Sequence, residues 1–243
     1  MFACLYVPDF PVQAALRCEP EERRKDVQQS PVIIVDGPAS LLRVVAVNPQ
    51  ARRTGIAIGM TKLQAEHCGP VVSIKRIPQN EDAAQAALLD CARAFSPRVE
   101  STAPGMVILD LERTEKLFGY PKLAASRIAQ QSRDFGFQLH VAVASNPDTA
   151  LYAARSWNGI TVIAPGEERQ RLTDLPLDVL AASPEILETL DSWSIRNLGA
   201  LAQIPSIPLV KRLGQEGLRL QKLARGEAKR TLVVTEPTED FYR

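Results

Sequence analysis

Val44-Val45-Ala46-Val47-Asn48-Pro49-Gln50-Ala51-Arg52-Arg53-Thr54-Gly55-Ile56-Ala57-Ile58-Gly59-Met60-Thr61-Lys62-Leu63-Gln64-Ala65 runs a β-branched strand straight into a helix, stops that helix at Gly55 and restarts one at Thr61, before Gly69-Pro70 ends it. Upstream, Val32 to Val35 and the strand Arg43 to Val47 flank Asp36-Gly37-Pro38, a turn composition that predicts a small antiparallel pair. Phe2 to Val7 reads as a buried strand ended by Pro8 and Pro11, followed by a short helix over Val12 to Arg17 and a charged loop at 19–29. Downstream, the pattern gives a helix over Glu81 to Phe95 and a hairpin of Arg98 to Thr102 with Met106 to Leu111 across Ala103-Pro104-Gly105. Then come a helix over Pro121 to Phe135, a strand from Gln138 to Ala144, a helix over Pro147 to Trp157 and a short strand at Ile160 to Ile163. The alternation predicts a mixed sheet covered by helices on one face.

After Pro165 short helices take over, with no convincing strand until Thr231 to Thr235. Leu187, Leu190, Ile195, Leu198, Leu201 and Ile204 straddle Ser192-Trp193-Ser194, the outline of two short helices joined by a tight turn. Residues 236–243 are acidic, contain a proline and read as a linker.

Composition sets limits on function. With 243 residues, 45% hydrophobic and 23% charged, the chain can bury more than one core. Lys plus Arg total 29 against 28 Asp plus Glu, a net charge of +1, so nucleic-acid binding has to come from local patches. Cys4, Cys18, Cys68 and Cys91 form no C-x-x-C pair, and only His67 and His140 are available to join them, which argues against a structural zinc site. They read as reduced cytosolic thiols acting as small buried hydrophobes. The apolar start is a strand in length, too short for a signal or a membrane span.

From Val44 to Ala65 the chain resembles the fingers segment of Y-family, translesion-type DNA polymerases, a strand followed by x-x-x-A-R-x-x-G-[IV]-x-x-G-M-x-x-x-x-A. Ala51-Arg52, Gly55, Gly59-Met60 and Ala65 hold the family's spacings. The order also agrees: N-terminal strand, this insert, the strand pair near residue 105, a palm helix, Val141-Ala142-Val143-Ala144-Ser145-Asn146, then a helix-hairpin-helix. The resemblance covers Met1 to about Leu232 and implies an α/β (α+β) fold. Its parts would be a mixed-sheet palm at 1–10 plus 76–165, a small fingers domain at 11–75, an all-helical helix-hairpin-helix thumb at 166–232, and a linker at 233–243 toward a little finger that this sequence lacks.

The same resemblance places the chemistry. Phosphoryl transfer in this family uses two metal ions about 3.5–4 Å apart, held by carboxylates on neighbouring palm strands. Aligned through Gln13, the family's Asp-Phe-Asp meets Tyr6, Val7 and Pro8. Its Ser-Ile-Asp-Glu-Ala-Phe-Leu-Asp-Leu meets Ala103 to Leu111, so Gly105-Met106 stands for the Asp-Glu pair. No catalytic residue, metal ligand or cofactor is expected at these degenerate positions. Two acids lie nearby. Using Asp9 requires a register slip that turns the strand's faces over, and Asp110 sits roughly 13 Å beyond Met106 along an extended strand. In the nucleotide pocket Arg52 matches the residue that grips the triphosphate. Pro49 replaces a tyrosine and Ser156 a lysine, with Arg155 beside it as the compensating cation. Arg52 reads equally well as an exposed helix arginine.

From Arg196 to Arg230 there are eight Lys or Arg residues against two glutamates. Gly199 and Gly214, near helix starts, with Lys211, Arg212, Arg219 and Lys222, fit a surface that holds duplex backbone without reading sequence. A solvated helical face is the competing explanation. Ser194 stands where many such hairpins have glycine, and Trp157 and Trp193 read as packing anchors.

Three readings remain. The first is a catalytically inactive Y-family homologue that binds primer-template DNA as a scaffold, as ImuB-type proteins do. That resemblance implies damage-induced (SOS) mutagenesis and translesion synthesis. It implies as partners a sliding clamp, a DnaE-type error-prone polymerase and a RecA-like ImuA protein, in the cytoplasm at the nucleoid and without a membrane. The second is an active translesion polymerase with relocated ligands and Mg2+. The third is a protein-interaction module without DNA binding.

Overall fold

The computed structural model describes residues 1–20, 24, 27 and 29–236; most of the charged loop expected at 19–29, and the part of the linker expected at 233–243 that follows residue 236, lie outside them. Strand β1 (Phe2–Tyr6) is followed by α1 (Phe10–Arg17), β2 (Val32–Asp36), β3 (Arg43–Val47), α2 (Pro49–Arg53), α3 (Lys62–His67) and β4 (Val72–Lys75). Next come α4 (Pro78–Arg93), β5 (Val99–Ala103), β6 (Met106–Asp110), α5 (Glu115–Phe118), α6 (Pro121–Asp134), β7 (His140–Ala144), α7 (Pro147–Ser156) and β8 (Ile160–Val162). The C-terminal part holds α8 (Glu168–Leu172), a 3-10 turn at Leu177–Leu180, α9 (Pro184–Ser192), α10 (Leu198–Gln203) and α11 (Ser206–Ala224).

The strands form two sheets, one of order β5-β6-β1-β7-β8 and one of order β3-β2-β4. In the larger sheet β1 is central and antiparallel to both neighbours, while β8 lies parallel to β7. Alternation along β1 sends Ala3 and Leu5 to one face, where they pack with Val107, Leu109, Val141, Leu88 of α4 and Ile128 of α6. Cys4 goes to the other face with Ile108, Ala142 and Ala144, against Ala150, Ala153 and Ala154 of α7. Helices therefore cover both faces, not one. The apolar runs of β1, β6 and β7 are those of strands buried on both sides, and α7 reaches the sheet closely because its inner face is alanine.

The small sheet has the expected β2–β3 pair, with β4 added parallel to β2. That strand, Val72-Ser73-Ile74-Lys75, was not anticipated, because four mixed residues carry too little periodicity to stand out from a loop. Helix α1 joins the two lobes. Phe10 and Ala14 enter the core of the large sheet, whereas Val12 and Leu16 pack with Val32, Ile34 and Ala46. Helix starts follow local chemistry: Asn48 caps α2 with its side chain on the Ala51 amide, and Thr61 with Gln64 makes a capping box on α3.

In the C-terminal part Leu172, Leu190, Leu198, Leu201, Leu209 and Leu220 form one core. Ser194 adopts φ 60° in the turn between α9 and α10, so the serine takes the conformation that glycine usually supplies. Trp157 and Trp193 pack against this core, as expected of anchors. Thr231 to Thr235 is not a strand. It is an irregular segment beside the edge strand β5, where the Thr235 amide donates to Val99 O at 2.8 Å and the Ser101 amide to Thr235 Oγ1 at 2.9 Å. Cys4 and Cys91 are buried as small apolar groups, but Cys18 and Cys68 are exposed at helix ends, which corrects the expectation for those two.

Candidate functional site

Tyr6 ends β1 opposite Met106 on one side and His140 on the other, with its ring edge-on to His140 at 5.9 Å between centroids. Gly105 closes the β5–β6 turn at φ 71°; its amide donates to Gln85 Oε1 at 2.7 Å and its carbonyl accepts the Val7 amide at 2.8 Å. A Cβ at position 105 would lie 2.7 Å from both Cβ and Cγ of Phe10. A side chain there would be strained at this φ and would require the Phe10 side chain to shift. This end of the strand pair presents a phenol, a thioether and a peptide group, a donor set that does not fit magnesium, which requires oxygen ligands and near-octahedral geometry. Among the described residues no group of three or more His, Cys, Asp or Glu is arranged to hold a metal ion.

The two nearby acids do not converge. Asp9 lies beyond Tyr6, while Asp110 pairs with Phe2 at the opposite end of β1. Asp110 is buried, ion-paired to Arg98 at 2.6 Å and accepting the Glu112 amide at 2.9 Å. Asp9 is ion-paired to Arg52, which also donates to Val47 O at 3.1 Å. Burial raises the Asp9 carboxyl above its ordinary pKa, with Arg52 pulling it back. Pro8, Asp9, Val12, Gln13 and Pro49 line a cavity of about 310 Å³. Gln13, noticed in the sequence only as an alignment anchor, is a clamp here: it donates to Pro8 O at 2.9 Å and Gln138 O at 2.7 Å and accepts the Gln138 amide at 2.9 Å. Arg155 is exposed in the last turn of α7 and forms no ion pair among the described residues.

The basic region centres on α11. Gly214, at φ 63° and ψ −154°, breaks this helix in two, with no atom within 4 Å of where its Cβ would stand. Lys211 and Arg212 are exposed just before the break. Beyond it Arg219 makes two hydrogen bonds to Glu216 at 2.6 and 2.8 Å, and Lys222 borders a shallow hollow with Arg219, Glu227 and Lys229. The amide of Gly199 is not available to a phosphate. It donates to Thr173 O at 2.9 Å, and its Cβ would meet Thr173 Cγ2 at 2.5 Å, so this glycine serves packing at the α8–α10 contact.

Several supporting residues were invisible in the sequence. Gln221, fully buried in α11, donates to Ile204 O at 2.6 Å and accepts from Ser206 Oγ at 2.8 Å, fixing the turn from α10 into α11. Arg230 bridges Glu100 at 2.7 Å and Asp148 at 2.9 Å. The desolvation that disfavours a charged Glu100 is outweighed by Arg230, the Val233 amide and Thr102, so its carboxyl lies below the ordinary glutamate range. A polar residue within an apolar stripe was the only available signal for Gln221. Arg230 was legible as a charge but not as a buried partner.

A five-stranded mixed sheet with helices on both faces, a three-stranded lobe inserted between its first two strands in sequence, and a helical C-terminal part is the Y-family DNA polymerase fold. It superposes on DinB from Sulfolobus solfataricus with TM-score 0.76 at 20% identity, and on the insertion ternary complex of Dbh DNA polymerase with TM-score 0.78 at 21%; each match covers 96% of this chain and 69% of the other. The impB/mucB/samB family model matches residues 5–155, and the chain belongs to that family. Among curated relatives, Protein ImuB of Caulobacter vibrioides is 23% identical over 172 residues, 71% of this chain and 38% of its own length. DNA polymerase IV of Dehalococcoides mccartyi is 26% identical over 225 residues, 90% of this chain and 58% of its own. The chain thus spans roughly two to three fifths of the relatives it matches. No helix among the described residues is long and apolar enough to cross a membrane.

Proposed function

We propose that this chain is a polymerase-fold scaffold that holds primer-template DNA without carrying out nucleotidyl transfer. The observation that carries the reading is Gly105, whose positive φ, with Phe10 standing where a Cβ would go, disfavours a carboxylate where the family resemblance places one. Tyr6 and Met106 occupy the adjoining positions, and Asp9 and Asp110 are committed to separate arginines. A DNA-holding role is supported by the exposed cations Lys211, Arg212 and Lys222 around the Gly214 break, and by the likeness to a ternary complex of a DNA polymerase. Arg219 contributes once the phosphate backbone competes with Glu216 for its guanidinium.

A role in damage-induced mutagenesis is part of this proposal; the likeness to Protein ImuB supports it. Its partners would be a sliding clamp, a DnaE-type polymerase and a RecA-like ImuA protein, at the nucleoid. The domain division proposed is palm 1–10 plus 76–165, fingers 11–75 and thumb 166–232.

The test is a salt-dependent DNA titration beside primer extension in Mg2+ and in Mn2+. Binding that weakens with salt, without extension, supports the scaffold. Robust incorporation that dies on Asp110→Ala establishes the active alternative. Unchanged DNA retention in the triple reversal Lys211→Glu, Arg212→Glu, Lys222→Glu moves the binding face elsewhere, and no DNA retention by the wild type leaves only an interaction module.

A further inference from the structure

After α11 the chain turns back over the five-stranded sheet. The Gly226 carbonyl accepts Asn146 Nδ2 at 2.9 Å, and a Cβ on Gly226 would lie 2.5 Å from Glu168 Cβ, so the missing side chain lets the segment pass close to α8. Arg230 then places Nε on Asp148 Oδ1 at 2.9 Å, in the first turn of α7, and Nη1 on Glu100 Oε2 at 2.7 Å, in β5. The same Glu100 oxygen accepts the Val233 amide at 2.8 Å, so one carboxylate holds the segment by side chain and by backbone. Between these bonds Leu232 is buried among Cys4, Met106 and Ile108 on the sheet. Farther on Thr235 bonds to β5, and Arg93 of α4 donates to the carbonyls of Thr235 and Glu236 at 3.3 and 3.2 Å. The helical C-terminal part otherwise meets the sheet chiefly through α7, whose Leu151 and Tyr152 pack with its leucines. A body packed along one helix can still rock about that helix. Anchors on β5 and α4, away from α7, remove this freedom.

We propose that residues 226–236 are a clasp, pinned by Arg230, that fixes the helical C-terminal part against the sheet and so sets where the cations of α11 stand. Arg230 is a positioning residue, acting through the segment that carries it. A planar guanidinium shared between carboxylates of two elements specifies one arrangement of both, because its donors point in fixed directions. The Glu100 and Asp148 side chains are only 8% and 16% exposed, so water competes little for either bond. The consequence for DNA rests on the DNA-holding reading, whereas the clasp itself rests on these contacts alone.

The test is a spin-label distance measurement on the full chain, by pulsed electron paramagnetic resonance and without DNA. Cys18→Ser and Cys68→Ser remove the exposed thiols, and labels go on Gln215→Cys of α11 and Lys122→Cys of α6, both exposed positions. This parent should give one narrow distance. Arg230→Met keeps the apolar stem and removes both bonds, and the distribution should broaden to at least about twice the parent width, as for parts free to move against each other. Arg230→Lys, which keeps the charge, should stay closer to the parent than Arg230→Met does. Hydrogen exchange in β1 and α6 reports whether each variant is folded. Removing Arg230 leaves two half-buried acids unpaired, so Asp148→Asn, which keeps the Glu100 arm, replaces it should Arg230→Met not fold. A folded variant as narrow as the parent, Arg230→Met or failing that Asp148→Asn, overturns the clasp. Because DNA is absent, this outcome is separate from that of the DNA-holding reading.

Discussion

At Gly105 a side chain could be accommodated only if Phe10 moved. A turn glycine beside a core methionine means little alone, but at φ 71° a Cβ would be strained and would lie 2.7 Å from Phe10, which would have to shift. Gly105→Asp should therefore cost roughly 2–4 kcal/mol from overpacking and backbone strain together, seen as a lower midpoint in denaturant unfolding. The paired Gly105→Asp/Met106→Glu variant should gain no metal-dependent primer extension; a variant as stable as wild type would show that Phe10 yields. Glu100 gives a pH prediction at the same scale. Its folded-state pKa lies below the ordinary 4.5, so the stability it contributes is present above that value and lost as pH falls through the folded one. Thermal melts of wild type and Glu100→Gln should converge on acidification below pH about 4.5 and separate at neutral pH, with the variant the weaker because Arg230 loses its buried partner. Parallel curves at all pH values would remove Glu100 from this role.

Helix α11 combines a break in its own course with a buried polar contact to the turn before it. Its two halves meet at Gly214, and Gly217 packs so closely that a Cβ would lie 2.7 Å from Leu213 Cβ. Gln221 supplies polar partners to this half-buried turn. Gln221→Leu should destabilise the chain by about 1–3 kcal/mol through the unsatisfied Ile204 carbonyl and Ser206 hydroxyl. Hydrogen exchange should rise first in residues 201–206; uniform protection there would mean the turn holds by its leucines alone. The segment 231–236 is an element by position only. Its side chains and amides, not a ladder, hold it to β5.

For the molecule as a whole, a net charge of +1 hides a local excess that the fold gathers around α11. If Lys211, Arg212 and Lys222 each neutralise a phosphate, reversing all three should flatten the slope of log K against log salt by about 2–3 units, at roughly 0.9 per contact on duplex DNA. Binding measured from low to moderate salt reads this directly. Reversing Arg43 and Arg53 on the small-sheet lobe serves as a matched control: an equal change there would spread the interface over both lobes and away from α11.

The sequence alone determined most elements and their order, because Asn48-Pro49, Thr61 with Gln64, and Asn146-Pro147 start helices through bonds made within four residues. It also placed Tyr6, Gly105 and Met106 as departures from a family pattern that is read position by position. Side-chain pairing between distant segments was not legible. The second covered sheet face, strand β4, the capture of the Gly199 amide by Thr173 and the Asp9–Arg52 pair all join residues that periodicity treats as independent. Each is decided by which faces the packed lobes bring together. Burial then fixes the outcome: once water is excluded, a glycine without space, an amide already bonded or a carboxylate already paired is no longer free for the role its residue type suggests.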